Sequence, residues 1–192
     1  MGFFFHQFKN YINRDALSDW FDKINLQNNT FTKDTPNEFQ IELNKKKETY
    51  KQDFLSNFDP NLIVRNLNHD EIVKKIKQSE ECIIYQGELH HSKYDVFVKP
   101  DLIIHRNIFN QYFPEINIDL PEYIVIDILY KILHLNADKT DLLNQGNIYY
   151  HKCKMFIASD SLGIKDYGYF FGKEYRHKNK TLIKKEMIGS FP

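Results

Sequence analysis

Tyr123-Ile124-Val125-Ile126-Asp127-Ile128-Leu129-Tyr130-Lys131 is a run of β-branched and aliphatic residues broken by one carboxylate. An apolar run of this length without strict alternation reads as a strand covered on both faces. Lys99-Pro100-Asp101-Leu102-Ile103-Ile104 repeats the theme, with one acid at the head of an apolar run. A carboxylate taken out of water is costly unless it is paired or holds a cation. Two such aspartates, on strands that could be neighbours in one sheet, point to a shared divalent-cation site with Asp101 and Asp127 as ligands.

Working outward, the strand candidates are Cys82–Leu89, Tyr94–His105 (interrupted at Pro100) and Tyr123–Lys131. A hairpin through His90-His91-Ser92 would join the first two. Pro100 supplies no backbone N–H, so its position belongs to an edge or a bulge, and bulges often adjoin active sites. Asn68 followed by Glu71 is a capping-box start for a helix through Gln78. Leu62-Ile63-Val64 is a short strand candidate, and Ile108–Pro121 a loop or short helix. Thr35-Pro36 opens an earlier helix whose apolar stripe is Phe39, Leu43, Tyr50 and Phe54, with Lys45-Lys46-Lys47-Glu48 as a solvated face. Ile148, Cys153, Phe156, Ile157 and Leu162 give a late helix, capped at Gly163. Tyr167–Lys173 reads as a final strand.

Both ends differ in composition from the middle. Residues 1–34 form an aromatic-rich helical N-terminal arm, in which Phe8, Tyr11, Ile12, Leu17, Trp20 and Phe21 recur at helical spacing before the turn-forming stretch 27–37. Residues 35–175 hold the strands and helices of the main domain. Residues 176–192 are a basic tail. The fold class is α/β: a small mixed β-sheet flanked by helices, with an N-terminal helical arm.

The chain has 192 residues, with 26 Lys+Arg against 26 Asp+Glu. A zero net charge excludes a globally basic nucleic-acid binder, so any basic surface is local. Residues 173–185 carry one such run, with Lys173, Arg176, Lys178, Lys180, Lys184 and Lys185 against Glu174. Cys82 and Cys153 are too few for a disulfide framework and lack zinc spacing. The start Met-Gly-Phe-Phe-Phe-His lacks a basic leader region and is too short an apolar run to span a membrane. The expectation is a soluble intracellular protein without membrane association, in cytoplasm or nucleus, or in a viral factory or virion. The histidines lack paired metal-ligand spacing, and the chain has neither a phosphate-binding glycine loop nor a nucleophile triad pattern.

Several short strings, in order, resemble the RecB-like branch of the PD-(D/E)xK nuclease superfamily, in the form found in giant DNA viruses. They are Asn37-Glu38-Phe39-Gln40, Ile83-Ile84-Tyr85-Gln86-Gly87-Glu88-Leu89-His90, Lys99-Pro100-Asp101-Leu102-Ile103, Ile126-Asp127-Ile128, Leu133-His134-Leu135, Leu142-Leu143-Asn144, Ser161-Leu162-Gly163 and Phe170-Phe171-Gly172-Lys173. The resemblance spans roughly residues 36–175 and implies a restriction-endonuclease-like core. In that family carboxylates on adjacent strands hold Mg2+ or Mn2+, which activates water and stabilises charge on the phosphate. An Asp-x-Lys lysine lies on the same strand face.

Four positions depart from the family pattern. Gln40 fills the slot of a metal-facing Glu. Leu129 fills the lysine slot. Lys154 and Ala158 fall where a QxxxY helix motif aligns, although Gln145 and Tyr149 satisfy that motif in another register. The resemblance therefore implies a degenerate nuclease fold retained for nucleic-acid binding or for a structural role in an assembly. The alternative is an active Mg2+- or Mn2+-dependent deoxyribonuclease. In it Asp101 and Asp127 bind the metal and Lys131 serves as a migrated lysine, about 7 Å further along the strand than the usual position. Lys154, projecting from the helix, and Lys173, Arg176 and Lys178 would contact nucleic acid. DNA and a protein partner, docked on the aromatic arm or the C-terminal end, are the expected partners.

Overall fold

The computed structural model describes residues 2–12, 15, 18, 35–114, 116, 119–130, 148–171, 174–177, 180–183 and 186–188. Strands are β1 (Phe3–Phe4), β2 (Ile63–Arg65), β3 (Ile83–Tyr85), β4 (Leu89–His91), β5 (Val96–Val98), β6 (Leu102–His105) and β7 (Tyr123–Leu129), followed by β8 (Tyr167–Phe171), β9 (Glu174–His177), β10 (Lys180–Ile183) and β11 (Glu186–Ile188). Helices are α1 (Lys9–Ile12), α2 (Glu38–Leu55), α3 (His69–Lys77), α4 (Arg106–Tyr112) and α5 (Ile148–Asp160). No helix among the described residues is long and apolar enough to cross a membrane.

A six-stranded mixed sheet, in the order β11-β8-β7-β6-β3-β2, forms the centre of the molecule. β3, β6 and β7 run antiparallel to one another in turn, β2 pairs parallel with β3, and β8 returns parallel to β7. The parallel return requires a crossover, and α5 lies in that connection. Every residue of β7 is buried, which is why this strand reads as continuous rather than alternating.

Side-chain alternation sorts β7 between two cores. Ile124, Ile126 and Ile128 pack with Phe54 and Leu55 of α2 and with Ile108 and Phe109 of α4. Val125 and Leu129 pack with Ile72 of α3 and with Met155 and Ala158 of α5. Helices thus cover both faces, and each fully buried Ile contributes on the order of 1.5–3 kcal/mol through the hydrophobic effect.

Local chemistry fixes the helix ends. Asn68 accepts from the Glu71 backbone N–H while the Glu71 carboxylate accepts from the Asn68 N–H, a complete capping box that starts α3. Asn37 and Gln40 do the same for α2, so Pro36 stands before the cap rather than in the first turn. Only the second half of α2 packs: Phe39 is exposed, whereas Phe54 and Leu55 are buried. Lys45, Lys46 and Glu48 face solvent. Gly163, at φ +67°, closes α5, with the Ile164 N–H donating to the Ser159 carbonyl.

The two expected strands between Cys82 and His105 are four short ones. Gln86 takes a left-handed φ of +53° and ends β3, and the Lys99-Pro100-Asp101 break separates β5 from β6. β4 and β5 peel away to pair with each other and with β1 in a second, three-stranded sheet. The hairpin turn falls after His91, at Ser92–Asp95, with Asp95 at φ +51°.

The chain start is built into the body. Phe3 and Phe4 pair parallel with Val96 and Phe97, and Phe5 is buried in a core with its ring 5.1 Å from that of Tyr150. Within the expected arm, residues 3–4 form a strand and residues 5–8 a 3-10 turn that leads into the short helix α1 at Lys9–Ile12, while most of residues 13–34 lie outside the described residues. In the expected tail, β9 and β10 form an antiparallel hairpin and β11 adds to the edge of β8.

Candidate functional site

The β6–β7 register pairs Leu102 with Ile126. One step further along, Asp101 lies opposite Asp127, at the point where β6 begins. The Asp101 backbone N–H donates to Asp127 Oδ1 at 3.2 Å, and the Ile128 N–H donates to Asp101 Oδ2 at 2.8 Å. The Asp101 carbonyl in turn accepts from the Gln86 N–H at 2.9 Å. Each carboxylate therefore completes the backbone hydrogen bonding of the other's strand. Asp101 is 6% and Asp127 1% exposed, so neither acid can rely on water for stabilisation.

Two lysines supply the compensating charge. Lys51 of α2 reaches Asp101 Oδ1 at 2.6 Å, and Lys154 of α5 reaches Asp127 Oδ1 at 2.7 Å. His151, three residues before Lys154 on the same helix, places Nδ1 3.8 Å from Asp127 Oδ2. Burial and the neighbouring Asp127 charge raise the Asp101 carboxyl above its ordinary pKa, against the pull of Lys154 and Lys51. Burial also acts to raise Asp127, but Lys154 and His151 outweigh it and hold that carboxyl below the ordinary range. Burial acts to lower both ammonium groups, yet the two carboxylates leave Lys51 and Lys154 raised. The two carboxyl groups and the two ammonium groups form a compact quartet whose formal charges cancel when all four are ionised.

The remaining sequence-derived candidates are placed as follows. Lys131, Lys173, Lys178 and Gln145 lie outside the described residues. Arg176 sits on β9, paired in register with Thr181. Leu129 is buried on β7, and Ala158 is buried in the core beneath α5. Gln40 is at the far end of α2, committed to its capping box and exposed. Glu88 pairs with Lys99 at 2.9 Å. His90 and His91 pair separately with Asp95 and Asp160, at 2.9 and 2.7 Å. No group of three or more His, Cys, Asp or Glu side chains converges on a common point among the described residues.

Lys51 is the residue that sequence reasoning missed. It stands three to four positions before Phe54 and Leu55, the buried end of α2, so helical spacing puts it on the packed face. That position relative to the apolar stripe was the available signal.

No family model, curated protein or solved structure matches the chain.

Proposed function

We propose that this chain is a degenerate PD-(D/E)xK-type protein that has lost phosphodiester hydrolysis and is retained for nucleic-acid binding. The order of elements supports the nuclease-like part of this reading. With β2, α3, β4, β5 and α4 as intervening elements, α2 is followed by the mutually antiparallel strands β3, β6 and β7, then by α5 and the parallel strand β8. This succession is compatible with a restriction-endonuclease-like core, and it brings Asp101 and Asp127 together on the two middle strands of the sheet.

The observation that carries the loss of hydrolysis is the pairing of both carboxylates by Lys51 and Lys154. A divalent-cation site needs oxygen ligands carrying surplus negative charge. Here each carboxyl group already has an ammonium group at hydrogen-bond distance. Asp101 Oδ2 and Asp127 Oδ1 are also engaged by backbone N–H groups. The residues present do not fit Mg2+ or Mn2+, because a cation entering the quartet would have to displace the lysines it repels.

The test is incubation of the protein with single- and double-stranded DNA and Mn2+, beside Asp127→Ala, with Mn2+ titration by calorimetry. The expected result is no cleavage and no saturable Mn2+ heat. Cleavage by the wild type that Asp127→Ala lacks, with the variant shown to be folded by circular dichroism, would overturn the loss of hydrolysis and restore the metal-dependent reading.

A further inference from the structure

We propose that the cleft between the chain start, β5 and α5 takes an unpaired nucleotide of single-stranded nucleic acid, its base stacked on aromatic rings and its phosphate held by lysine. The inference gives the nucleic-acid-binding reading a location on the molecule. The cleft has a volume of about 340 Å3 and is lined by Phe4, His6, Phe97, Lys99, Tyr150 and Lys154, among others. That volume lies within the ~300–1,000 Å3 range of small-molecule sites.

Its composition decides between ligands. Among the described residues the lining contains aromatic and cationic side chains and Val98, and no carboxylate. Phe4 is 41% exposed, and its ring centroid lies 5.5 Å from that of Phe97. Phe97 is braced from behind by His90, stacked at 4.6 Å. A base has a π-face whatever its identity, so such rings accept it without sequence preference. Lys99, whose side chain is 54% exposed, pairs with Glu88, and Lys154 pairs with Asp127. Each ammonium carries three N–H donors, so a carboxylate partner does not exhaust its capacity for a phosphate oxygen. Bases of an intact duplex are stacked on one another and cannot enter a cleft of this size. The arrangement therefore selects single strands.

The test uses the full chain and a fluorescently labelled deoxythymidine decamer, read by anisotropy across a salt series. Saturable binding is expected, with a blunt duplex of mixed sequence weaker by about tenfold or more. Phe4→Ser and Lys99→Gln alter exposed side chains and should leave the fold intact, as circular dichroism would check. Each should weaken the decamer by about fivefold or more. Lys99→Gln should also lower the slope of log affinity against log salt by about 0.7, the loss of one phosphate contact on a single strand. No saturable binding, equal binding of the duplex, or affinity unchanged in both variants would overturn the proposal. Cleavage of DNA by the wild type would overturn the loss of hydrolysis while leaving this binding result intact, so the two failures are distinguishable.

Discussion

Asp101 and Asp127 are tied by reciprocal bonds. The Asp101 N–H donates to the Asp127 carboxylate, while the Asp101 carboxylate accepts the N–H of Ile128, the residue next to Asp127. Pro100 has no N–H to offer the ladder, and β6 begins only at Leu102. The two acids supply hydrogen bonds at the point where the regular strand pairing stops. That gives them a structural role which does not depend on a metal.

Removing one acid should therefore destabilise the fold strongly. Asp127→Asn leaves Lys154 buried without its counter-charge, and breaking a buried pair in this way costs about 3–5 kcal/mol. The double variant Asp127→Leu with Lys154→Met replaces the pair by apolar volume and should recover most of that loss. Chemical denaturation of the three proteins measures both quantities. A double variant no more stable than the single one would show that the backbone contacts of Asp127, and not its pairing, dominate.

The two carboxyls should titrate in a fixed order. Asp101 is raised by burial and by Asp127, whereas Asp127 is lowered by Lys154 and His151 against its burial. Carboxyl-carbon NMR should show Asp101 taking its proton at higher pH than Asp127. The signs of their stability contributions are opposite. Asp127, depressed in the folded state, stabilises above about pH 4 and loses that contribution as pH falls further. Asp101, raised in the folded state, contributes fully below about pH 4 and loses that contribution as pH rises through its folded value. The stability gap between wild type and Asp127→Asn should accordingly narrow on acidification below about pH 4.

Taking away both cations should uncover a metal site. Lys51→Met with Lys154→Met leaves two adjacent carboxylates without ammonium partners. Mn2+ should then raise the Tm of the double variant, by selective binding to the folded state, and leave the wild-type Tm unchanged. An equal Tm rise in the wild type would mean that the lysines yield to a cation, contrary to the paired-quartet reading.

Two glycines make independent tests of the packing. A Cβ on Gly87 would come within 2.7 Å of Ile72 Cδ1 and 3.0 Å of Ile84 Cγ2, both side chains being fully buried. Gly87→Ala should cost about 1–3 kcal/mol by overpacking. Gly163 has open space around it but a φ of +67°, so Gly163→Ala should cost about 1–2 kcal/mol through backbone strain alone. Thermal melts of the two variants would separate steric from conformational cost.

Much of the frame was legible because it depends on local rules. β7 declared itself by its unbroken apolar run, α3 by the Asn68–Glu71 box, and the end of α5 by Gly163. The pairing of Asp101 with Asp127 was legible because a lone acid in an apolar strand must find compensation. The compensating group was not. Lys51 is separated from Asp101 by 50 positions in sequence, and the charge-rich α2 offers many lysines of which only tertiary packing selects one. The split of the Cys82–His105 region was hidden for a different reason. Gln86 and Asp95 adopt left-handed backbone angles that their identities do not advertise. The pairing of Phe3 and Phe4 with β5 is a long-range contact, invisible to a helical-spacing argument that treated the aromatic start as an amphipathic arm.

The four-charge line also has a mechanical consequence. α2 packs in one core and α5 in the other, on opposite faces of the central sheet. The run Lys51–Asp101–Asp127–Lys154 passes between them where β6 begins beside β7, like a rivet through two plates. Neither helix can lift away without stranding a buried charge on the strand it leaves. Amide hydrogens in the second half of α2 and around Lys154 in α5 should then exchange in one cooperative opening event, although the two segments belong to separate apolar clusters.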